Sequence, residues 1–499
     1  MLFISWEFAV FLALVLAGLR VMPTRESRQC LLLVSSAVFY GSHTPWHLLI
    51  LATPAMIDFA CAAHIEDTEN PAARKQWLLL SLVSNLGLLA YFKYADFFAD
   101  SVGQLFGVTT VPLGLALPLG ISFFVFKTLS YTIDVYRREI PACRSLWRYA
   151  MFVSYFPELV AGPIVRASVF LPQLDRKLEP SRARTVVGVQ LILLGVTKKL
   201  FVADRLATLV NPVFLAPEAY SQFTVLSAVV AYSLQIYCDF SGYSDIAIGV
   251  SRIIGFDLPE NFNMPYLATS ITEFWRRWHI TLSQWLRDYL YLPLGGNRKG
   301  ARRTYINLML TMLLGGLWHG AAWTFVMWGL LHGLGLAVHK VWTQRVSHGR
   351  RPFHGVVGWL LTYAFVCAGW VFFRASDSET AMLILRKIVG LEPGGASWVY
   401  LPLLLIVPLV VAAHAAGAWI AGQEKRTNTV PETWVPAPSF ASRMYDSAAG
   451  IALRPHRAAG LYMLLPRPGF VSAFVLTVWL MGLFLFSPVH TRPFIYFQF

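Results

Sequence analysis

The sequence predicts an all-α protein that crosses a membrane many times. Of its 499 residues, 56% are hydrophobic and only 14% are charged, and the mean hydropathy is +0.54. A soluble domain has roughly 25% charged residues. Apolar stretches of about 18 residues or more, which are typical of membrane-spanning helices, recur along the whole chain. The composition therefore favours a polytopic membrane protein over a soluble globular one.

The hydropathy pattern predicts roughly 11–13 membrane helices, with interfacial and re-entrant helices between them. Several apolar segments are short or interrupted by Gly and Pro, which is typical of segments that lie inside the protein or line a cavity. Residues 1–18 have no positively charged start and no clear cleavage site, so we interpret them as a retained helix. The candidate segments are 3–20, 28–63 (two helices), 76–97, 113–135, 146–165, 186–208, 222–238, 305–320, 322–341, 355–375, 398–421 and 469–487.

We expect one membrane domain over residues 1–499, with a polar loop region at 422–468 before the last membrane helix. Neither a Walker motif nor a dinucleotide fingerprint occurs, so any chemistry takes place within the membrane body. The net charge of +14 is concentrated in short connections, as in the cytoplasmic loops of membrane proteins, and does not indicate nucleic acid. The five cysteines are scattered without metal-ligand spacing, so the sequence predicts neither a metal site nor a disulfide framework.

A histidine stands between two apolar stretches in the triplet Trp318-His319-Gly320. Residues 306–317 and 321–338 on either side contain no Lys, Arg, Asp or Glu. Imidazole is costly to bury in a membrane and can carry protons near neutral pH, so His319 is a candidate functional residue. His332 is also followed by a glycine. For His332 the alternative is a structural histidine that is satisfied by a hydrogen bond.

A second candidate histidine belongs to a polar and aromatic segment. Ser270 and Glu273 fit a capping box, and the pattern up to about residue 292 predicts one amphipathic helix that suits a membrane surface. His279 falls at the edge of the aromatic stripe, where it either faces a cavity or is an interfacial histidine with a hydrogen-bond partner. The arginines are candidate contacts for lipid headgroups or an anionic ligand. The candidate residues of this helix are Trp275, Arg276, Arg277, Trp278 and His279.

Polar residues also interrupt the apolar sequence between residues 225 and 250. Two carboxylates and three hydroxyls occur within residues 239–245. Such groups in a membrane must be paired or must line a wet cavity. Two interpretations stay open, namely the wall of a substrate cavity, and a structural polar network or a helix break at Gly242. The candidate residues are Asp239, Ser241, Tyr243 and Asp245.

In their order along the chain, these segments resemble the membrane-bound O-acyltransferase family, most closely its bacterial alginate O-acetyltransferase branch and more distantly the D-alanyl transferases. One departure is Glu158 after Pro157, where Gln or His is expected in the family; this position has no expected catalytic role. The motifs are Pro118-Leu-Gly-Ile-Ser-Phe-Phe124, Tyr131-Thr-Ile-Asp-Val-Tyr-Arg137, Phe156-Pro-Glu-Leu-Val-Ala-Gly-Pro-Ile-Val-Arg166, Asp239-Phe-Ser-Gly-Tyr-Ser-Asp245, Asn261-Phe-Asn-Met-Pro-Tyr266, Glu273-Phe-Trp-Arg-Arg-Trp-His-Ile-Thr-Leu-Ser283, Gly315-Gly-Leu-Trp-His-Gly320 and Phe494-Ile-Tyr-Phe-Gln-Phe499.

The resemblance implies a helical bundle with a thin centre, where a tunnel brings a cytoplasmic acyl donor close to an acceptor on the other side. It implies that His279 and His319 are the two site histidines. It further implies acetyl-CoA as the acyl donor with no bound cofactor, and a polysaccharide as the acceptor. An extracytoplasmic acetyltransferase or acetyl-carrier protein is the implied partner, and the bilayer is the bacterial inner membrane.

We therefore expect an O-acetyltransferase that moves an acetyl group across the membrane to an exported polysaccharide, either alginate-like or another. In this hypothesis His319 is the general base, and His279 orients the donor, stabilises the oxyanion or relays the proton. Asp239 and Asp245 would hold a histidine tautomer or shape the cavity. Two alternatives stay open, a transporter or flippase of an acyl or sugar carrier and a non-catalytic scaffold for an extracytoplasmic acetyltransferase. The lack of an internal sequence repeat weighs against the transporter.

Overall fold

The structure, a computed structural model, describes residues 1, 3–42, 44–176, 182–346, 355–427, 477–482 and 493–495. Within these residues the secondary structure is helical, and the only β-type pairing is one isolated bridge between Tyr220 and Ala396. The predicted all-α class is confirmed. The chain divides into two compact units, Met1–Gly188 with Ala247–Pro259 and Val189–Ile246 with Glu260–Phe499. A single domain over the whole chain stays a prediction.

Local capping signals start several helices of the first unit. The Thr24 hydroxyl accepts a hydrogen bond from the Ser27 backbone N–H, and the Ser27 hydroxyl accepts one from the Thr24 N–H, which makes a capping box. Asn70 caps the helix that begins with Pro71. The helices are α1 (Trp6–Val21), α2 (Arg25–Gly41), α3 (His47–Asp67), α4 (Pro71–Leu89), α5 (Ala95–Phe106), α6 (Ile121–Tyr136), α7 (Leu146–Ser154) and α8 (Ala167–Phe170), with a π-helical turn at Ala90–Tyr94 and a 3-10 turn at Leu171–Asp175.

Buried polar groups of the first unit are satisfied by one another. The Asp58 carboxylate on α3 accepts hydrogen bonds from Ser81 and Asn85 on α4, at 2.5 and 2.8 Å. Glu158, the departure noted above, forms a fully buried ion pair with Lys127 on α6. Breaking one partner of such a pair typically costs about 3–5 kcal/mol. Glu158 therefore has a structural explanation within its own unit.

The second unit contains the candidate site. Two of the helices that follow also have a part in the first unit. These parts are residues 182–188 at the start of the first helix and residues 247–254 at the end of the third. The helices are α9 (Arg182–Thr197), α10 (Asp204–Leu215), α11 (Gln222–Ile254), α12 (Ile271–Trp275), α13 (Ile280–Leu286), α14 (Gly300–His319), α15 (Trp323–Val341), α16 (Val356–Arg374), α17 (Ser378–Ile388) and α18 (Leu401–Thr427). Shorter π-helical and 3-10 turns lie at Lys198–Ala203, Pro217–Ala219, Pro265–Leu267, Arg287–Tyr291 and Trp342–Val346.

The chain is a multi-pass membrane protein. Among the described residues, six helical segments are long and apolar enough to cross a membrane, so the predicted number of 11–13 is not confirmed and stays a prediction. The predicted loop at 422–468 begins within α18, which continues to Thr427, and the rest of it lies outside the described residues. The predicted span 469–487 is described only at 477–482. The six segments are His47–Asp67, Pro71–Phe106, Arg184–Leu215, Gln222–Ile254, Val356–Arg374 and Leu401–Trp419.

Two glycines let α14 and α15 pack with their backbones in close approach. A Cβ atom on Gly316 would lie 2.3 Å from the carbonyl oxygen of Phe325, and one on Gly329 would lie 2.4 Å from that of Met312. Small residues at a helix interface allow this approach in membrane proteins. The pairing holds the His319 end of α14 directly beside the start of α15.

We expect Gly316→Ala to destabilise the protein by about 1–3 kcal/mol, because the added methyl group would lie 2.3 Å from the Phe325 carbonyl oxygen and the backbone would have to shift. Thermal unfolding in detergent would show this as a lower midpoint. The matched control is Gly87→Ala on α4, where nothing lies within 4 Å of the new Cβ atom. An unfolding midpoint for Gly316→Ala equal to that of the control would contradict the close packing.

Candidate functional site

The segment around His279 is not one continuous helix. The prediction of a single amphipathic helix from residue 271 to about 292 is wrong, because α12 ends at Trp275 and α13 begins at Ile280. His279 itself has φ 39° and ψ 58°, in the left-handed region that a non-glycine residue seldom adopts. Such strained residues concentrate at functional sites, where the surrounding structure holds them in place.

Backbone hydrogen bonds from a distant segment cause the break. The Ile280 N–H donates to the Asn261 carbonyl at 2.9 Å, and the Asn263 N–H donates to the Arg277 carbonyl at 2.8 Å. These bonds use groups that a continuous helix would pair internally. The left-handed residue between them turns the His279 side chain away from the course of a helix.

His279 is completely buried among aromatic rings. Its ring centroid lies 4.8 Å from that of Phe240 on α11 and 6.1 Å from that of Trp318 on α14. Its Nδ1 atom lies 3.0 Å from the Oδ1 atom of Asn261. Burial lowers the pKa of His279 to about 3, so the imidazole is neutral at physiological pH. The expected hydrogen-bond partner is therefore present, and it is an amide oxygen and not a carboxylate of Asp239 or Asp245.

His319 ends α14 and is buried in a second group of aromatic rings. Its ring centroid lies 5.0 Å from those of Trp318 and Trp328 and 5.1 Å from that of Phe373. Only 6% of its surface is exposed. Because Trp318 also contacts His279, one indole ring touches both predicted site histidines.

His332 extends this group along α15. It is fully buried, and its ring centroid lies 4.7 Å from that of Trp328 and 5.2 Å from that of Trp275. Neither of its ring nitrogens has a protein hydrogen-bond partner among the described residues, so the alternative of a histidine satisfied by such a bond finds no support there. Imidazoles and indoles thus alternate in one row. The row is His279, Trp318, His319, Trp328 and His332.

The other candidates of the same segment divide into packing and surface residues. Trp278 is buried against Phe262 and Trp370, at 5.1 and 4.8 Å between ring centroids. Arg277 forms an ion pair with Glu273 at 2.7 Å. Arg276 is exposed. Contact of these arginines with headgroups or an anionic ligand stays a prediction, and Arg276 is the more accessible of the two.

The Asp239 region is a charged network inside a continuous helix. Lys199 lies 2.6 Å from Asp239 and 2.9 Å from Asp204, and Lys198 lies 2.6 Å from Asp245. Asp239 and Asp245 are therefore both part of a structural polar network. A role in a substrate cavity stays a prediction for Asp239, Ser241, Tyr243 and Asp245.

The alternative of a helix break at Gly242 is wrong, since α11 runs without interruption from Gln222 to Ile254. Gly242 instead allows a close helix contact, because a Cβ atom there would lie 2.7 Å from the carbonyl oxygen of Gly195 on α9. Small residues such as glycine are enriched where membrane helices approach each other closely.

A short C-terminal segment, residues 493–495, binds to this network. The Ile495 N–H donates to the second carboxylate oxygen of Asp239 at 2.7 Å, and the Lys199 ammonium donates to the Pro493 carbonyl at 3.3 Å. The ring of Phe494 packs edge-on against Tyr243 at 4.8 Å. Both oxygens of Asp239 are therefore engaged by the protein itself.

The sequence interpretation missed three residues of this region, namely Lys198, Lys199 and Asn261. A signal for the lysines was available, because two adjacent lysines inside the apolar segment 186–208 need carboxylate partners. Asn261 was visible only as part of the Asn261–Tyr266 motif, and nothing in its spacing pointed to His279.

Comparisons with known proteins identify relatives of this chain. Residues 32–376 match the model of the membrane-bound O-acyltransferase family (MBOAT). The chain is 42% identical to the protein named probable alginate O-acetylase AlgI of Pseudomonas aeruginosa, over 76% of this chain and 73% of that protein. It is 38% identical to the peptidoglycan O-acetyltransferase of Helicobacter pylori, over 72% and 73%.

A more distant relative is the teichoic acid D-alanyltransferase of Streptococcus thermophilus, which is 29% identical over 46% of this chain and 58% of that protein. The family match includes both histidines of the row that Trp318 connects, and it extends over more than half of the chain. The chain therefore belongs to the membrane-bound O-acyltransferase family and is an acyltransferase.

Proposed function

We propose that this enzyme takes an acetyl group from a cytoplasmic thioester of the acetyl-CoA type and passes it across the bacterial inner membrane for O-acetylation of an exported polysaccharide. The observation that carries the proposal is the contact of one indole, Trp318, with both His279 and His319. The names of the relatives, an alginate O-acetylase and a peptidoglycan O-acetyltransferase, support acetyl as the acyl group and a polysaccharide as the acceptor.

In the proposed reaction His319 is the general base. It removes the proton of an acceptor hydroxyl as that oxygen attacks the thioester carbonyl carbon. A new C–O bond forms, the C–S bond breaks, and the thiolate leaves with the bonding electron pair. It takes up the proton that His319 removed, which returns His319 to its neutral form. General base catalysis of this kind typically contributes roughly 10²–10⁴-fold.

The aromatic surroundings of His319 suit this role. The rings of Trp318, Trp328 and Phe373 pack against the imidazole, with centroid distances of 5.0, 5.0 and 5.1 Å. The imidazole is therefore almost fully buried. All three ring pairs are T-shaped, and these contacts hold the imidazole in one place beside the reacting groups of the proposed transfer. Aromatic walls also exclude the water that would otherwise hydrolyse the thioester.

A separate extracytoplasmic acetyltransferase or acetyl carrier completes the transfer in this proposal. A scaffold or a transporter is disfavoured by membership of an acyltransferase family.

The acceptor is tested by deleting the gene and measuring the O-acetyl content of purified exopolysaccharide and of peptidoglycan. We expect the exopolysaccharide to lose most of its ester-linked acetyl groups and the wild-type gene to restore them. Loss from peptidoglycan alone would contradict the exported polysaccharide as acceptor. Unchanged acetylation of both polymers would contradict O-acetyl transfer as the function.

A further inference from the structure

The side chain of Asn261 is the centre of a set of hydrogen bonds next to His279. Asn261 is 1% exposed. Its Oδ1 atom lies 3.0 Å from Nδ1 of His279 and accepts hydrogen bonds from the backbone N–H and the hydroxyl of Thr281, at 3.3 and 3.0 Å. Its Nδ2 atom donates to the Ser244 hydroxyl at 3.3 Å. One amide therefore contacts the histidine, the start of α13 and α11.

These contacts fix which way the amide points. A backbone N–H can only donate, so the Asn261 atom that faces Thr281 N must be the oxygen. A flipped amide would place its NH₂ group against that N–H. The Ser244 hydroxyl can accept from Nδ2 without conflict.

The orientation of the amide fixes the tautomer of His279. An amide oxygen accepts hydrogen bonds only, so the Nδ1 atom that faces it must carry the hydrogen. A neutral imidazole has one N–H, and its other nitrogen then has a lone pair. The lone pair of His279 is therefore on Nε2.

We propose that Asn261 is a positioning residue that holds His279 in the Nδ1–H tautomer, so that Nε2 enters the acyl-transfer reaction as an acceptor. This inference rests on the proposed function, because it gives His279 a place in that reaction. A neutral His279 in this tautomer cannot stabilise an oxyanion by donating from Nε2. Of the three roles expected for His279, orienting the donor and relaying a proton remain.

The relay role moves one proton through both histidines. The proton that His319 removes from the acceptor hydroxyl passes to Nε2 of His279, and His319 returns to its neutral form. His279 is then a short-lived imidazolium, because its burial disfavours the charged form, and its Nδ1–H still donates to Asn261. Transfer of the Nε2 proton to the departing thiolate gives a thiol and restores the starting tautomer.

A purely structural role is the competing explanation, because Asn261 also binds Thr281 and its carbonyl accepts from Ile280. A positioning role acts through His279 alone. Removing Asn261 should then lower kcat in the wild-type background and have little further effect when His279 is already absent.

The test compares kcat and the KM for acetyl-CoA in membranes that contain Asn261→Ala, Asn261→Asp, His279→Ala and the double variant. We expect Asn261→Ala to lower kcat by about 10²-fold or more at similar KM, since a catalytic histidine in the wrong tautomer loses up to about 10⁴-fold. Asn261→Asp keeps an acceptor oxygen for Nδ1 and should recover most of the activity. The matched control is Asn263→Ala, because Asn263 contacts Arg277 through its backbone atoms.

The outcomes separate the two proposals. Two results would overturn the positioning role while leaving the function intact. One is a higher KM for acetyl-CoA with unchanged kcat. The other is that Asn261→Ala lowers kcat in the His279→Ala background by the same factor as in the wild-type background. Wild-type kcat in His279→Ala would instead overturn the assignment of His279 to the site. If Asn261→Ala fails to fold, Asn261→Asp decides, and a folded but inactive Asn261→Asp protein would overturn the inference.

Discussion

Replacing His319 with alanine is expected to abolish acyl transfer while expression and membrane insertion stay normal. The imidazole is the only group of that side chain able to take a proton, and its loss removes a contribution of roughly 10²–10⁴-fold. The ring lies within an aromatic group that other side chains hold together, so the fold should tolerate the smaller residue. The measurement is transfer of a labelled acetyl group from acetyl-CoA in isolated membranes, with protein amount determined by immunoblot.

His339→Ala is the matched control for this experiment. His339 lies on α15, where its Nδ1 atom is 2.9 Å from the Thr272 hydroxyl, and it does not belong to the row of alternating rings. We expect it to keep near-normal transfer. Near-normal transfer by His319→Ala would show that the residue is not the general base, and it would also revive the scaffold interpretation, which has no need of a histidine.

Lys199→Met is expected to have the largest effect on stability. The Lys199 ammonium is 1% exposed and is the cation that contacts both Asp204 and Asp239. Without it, two carboxylates stay buried with their neutralising partner removed, and breaking a buried pair in this way typically costs about 3–5 kcal/mol. The yield of folded protein and the unfolding midpoint in detergent measure the effect.

Two further variants sharpen this experiment. Lys75→Met changes an exposed lysine on α4 and should alter stability by no more than about 0.5 kcal/mol. Adding Asp239→Asn to Lys199→Met removes one of the two carboxylates and should recover part of the loss, since the asparagine oxygen can still accept from Ile495. A Lys199→Met protein that unfolds at the wild-type temperature would rule out the ion network as a stabilising element.

The sequence predicted the helical membrane class, both histidines and the aromatic residues beside them, because each has a local signal. A histidine between two uncharged apolar stretches is visible without any structure. The break at His279 is not visible in this way. The capping box and the helical period both fit a continuous helix, and the hydrogen bonds that interrupt it come from Asn261 and Asn263.

The Asp239 network shows the same limit of local patterns. The sequence indicates that carboxylates in an apolar helix need partners, yet the partner of Asp239 lies 40 residues away on a different element. In an isolated helix a glycine lowers helix stability, so the sequence allowed a helix break at Gly242. Its actual role depends on the Gly195 carbonyl beside it, which only the packed structure provides.

The contact between Asp239 and the C-terminal segment has a consequence for biosynthesis. The Ile495 N–H that binds Asp239 lies 256 residues later in the chain. A ribosome working from the N-terminus delivers the lysine and both aspartates long before it delivers that amide. Until then one oxygen of a buried carboxylate lacks its final hydrogen bond, so the newly inserted chain is distinguishable from the finished one. The hydrogen bonding of Asp239 is therefore completed only after residue 495 has been synthesised.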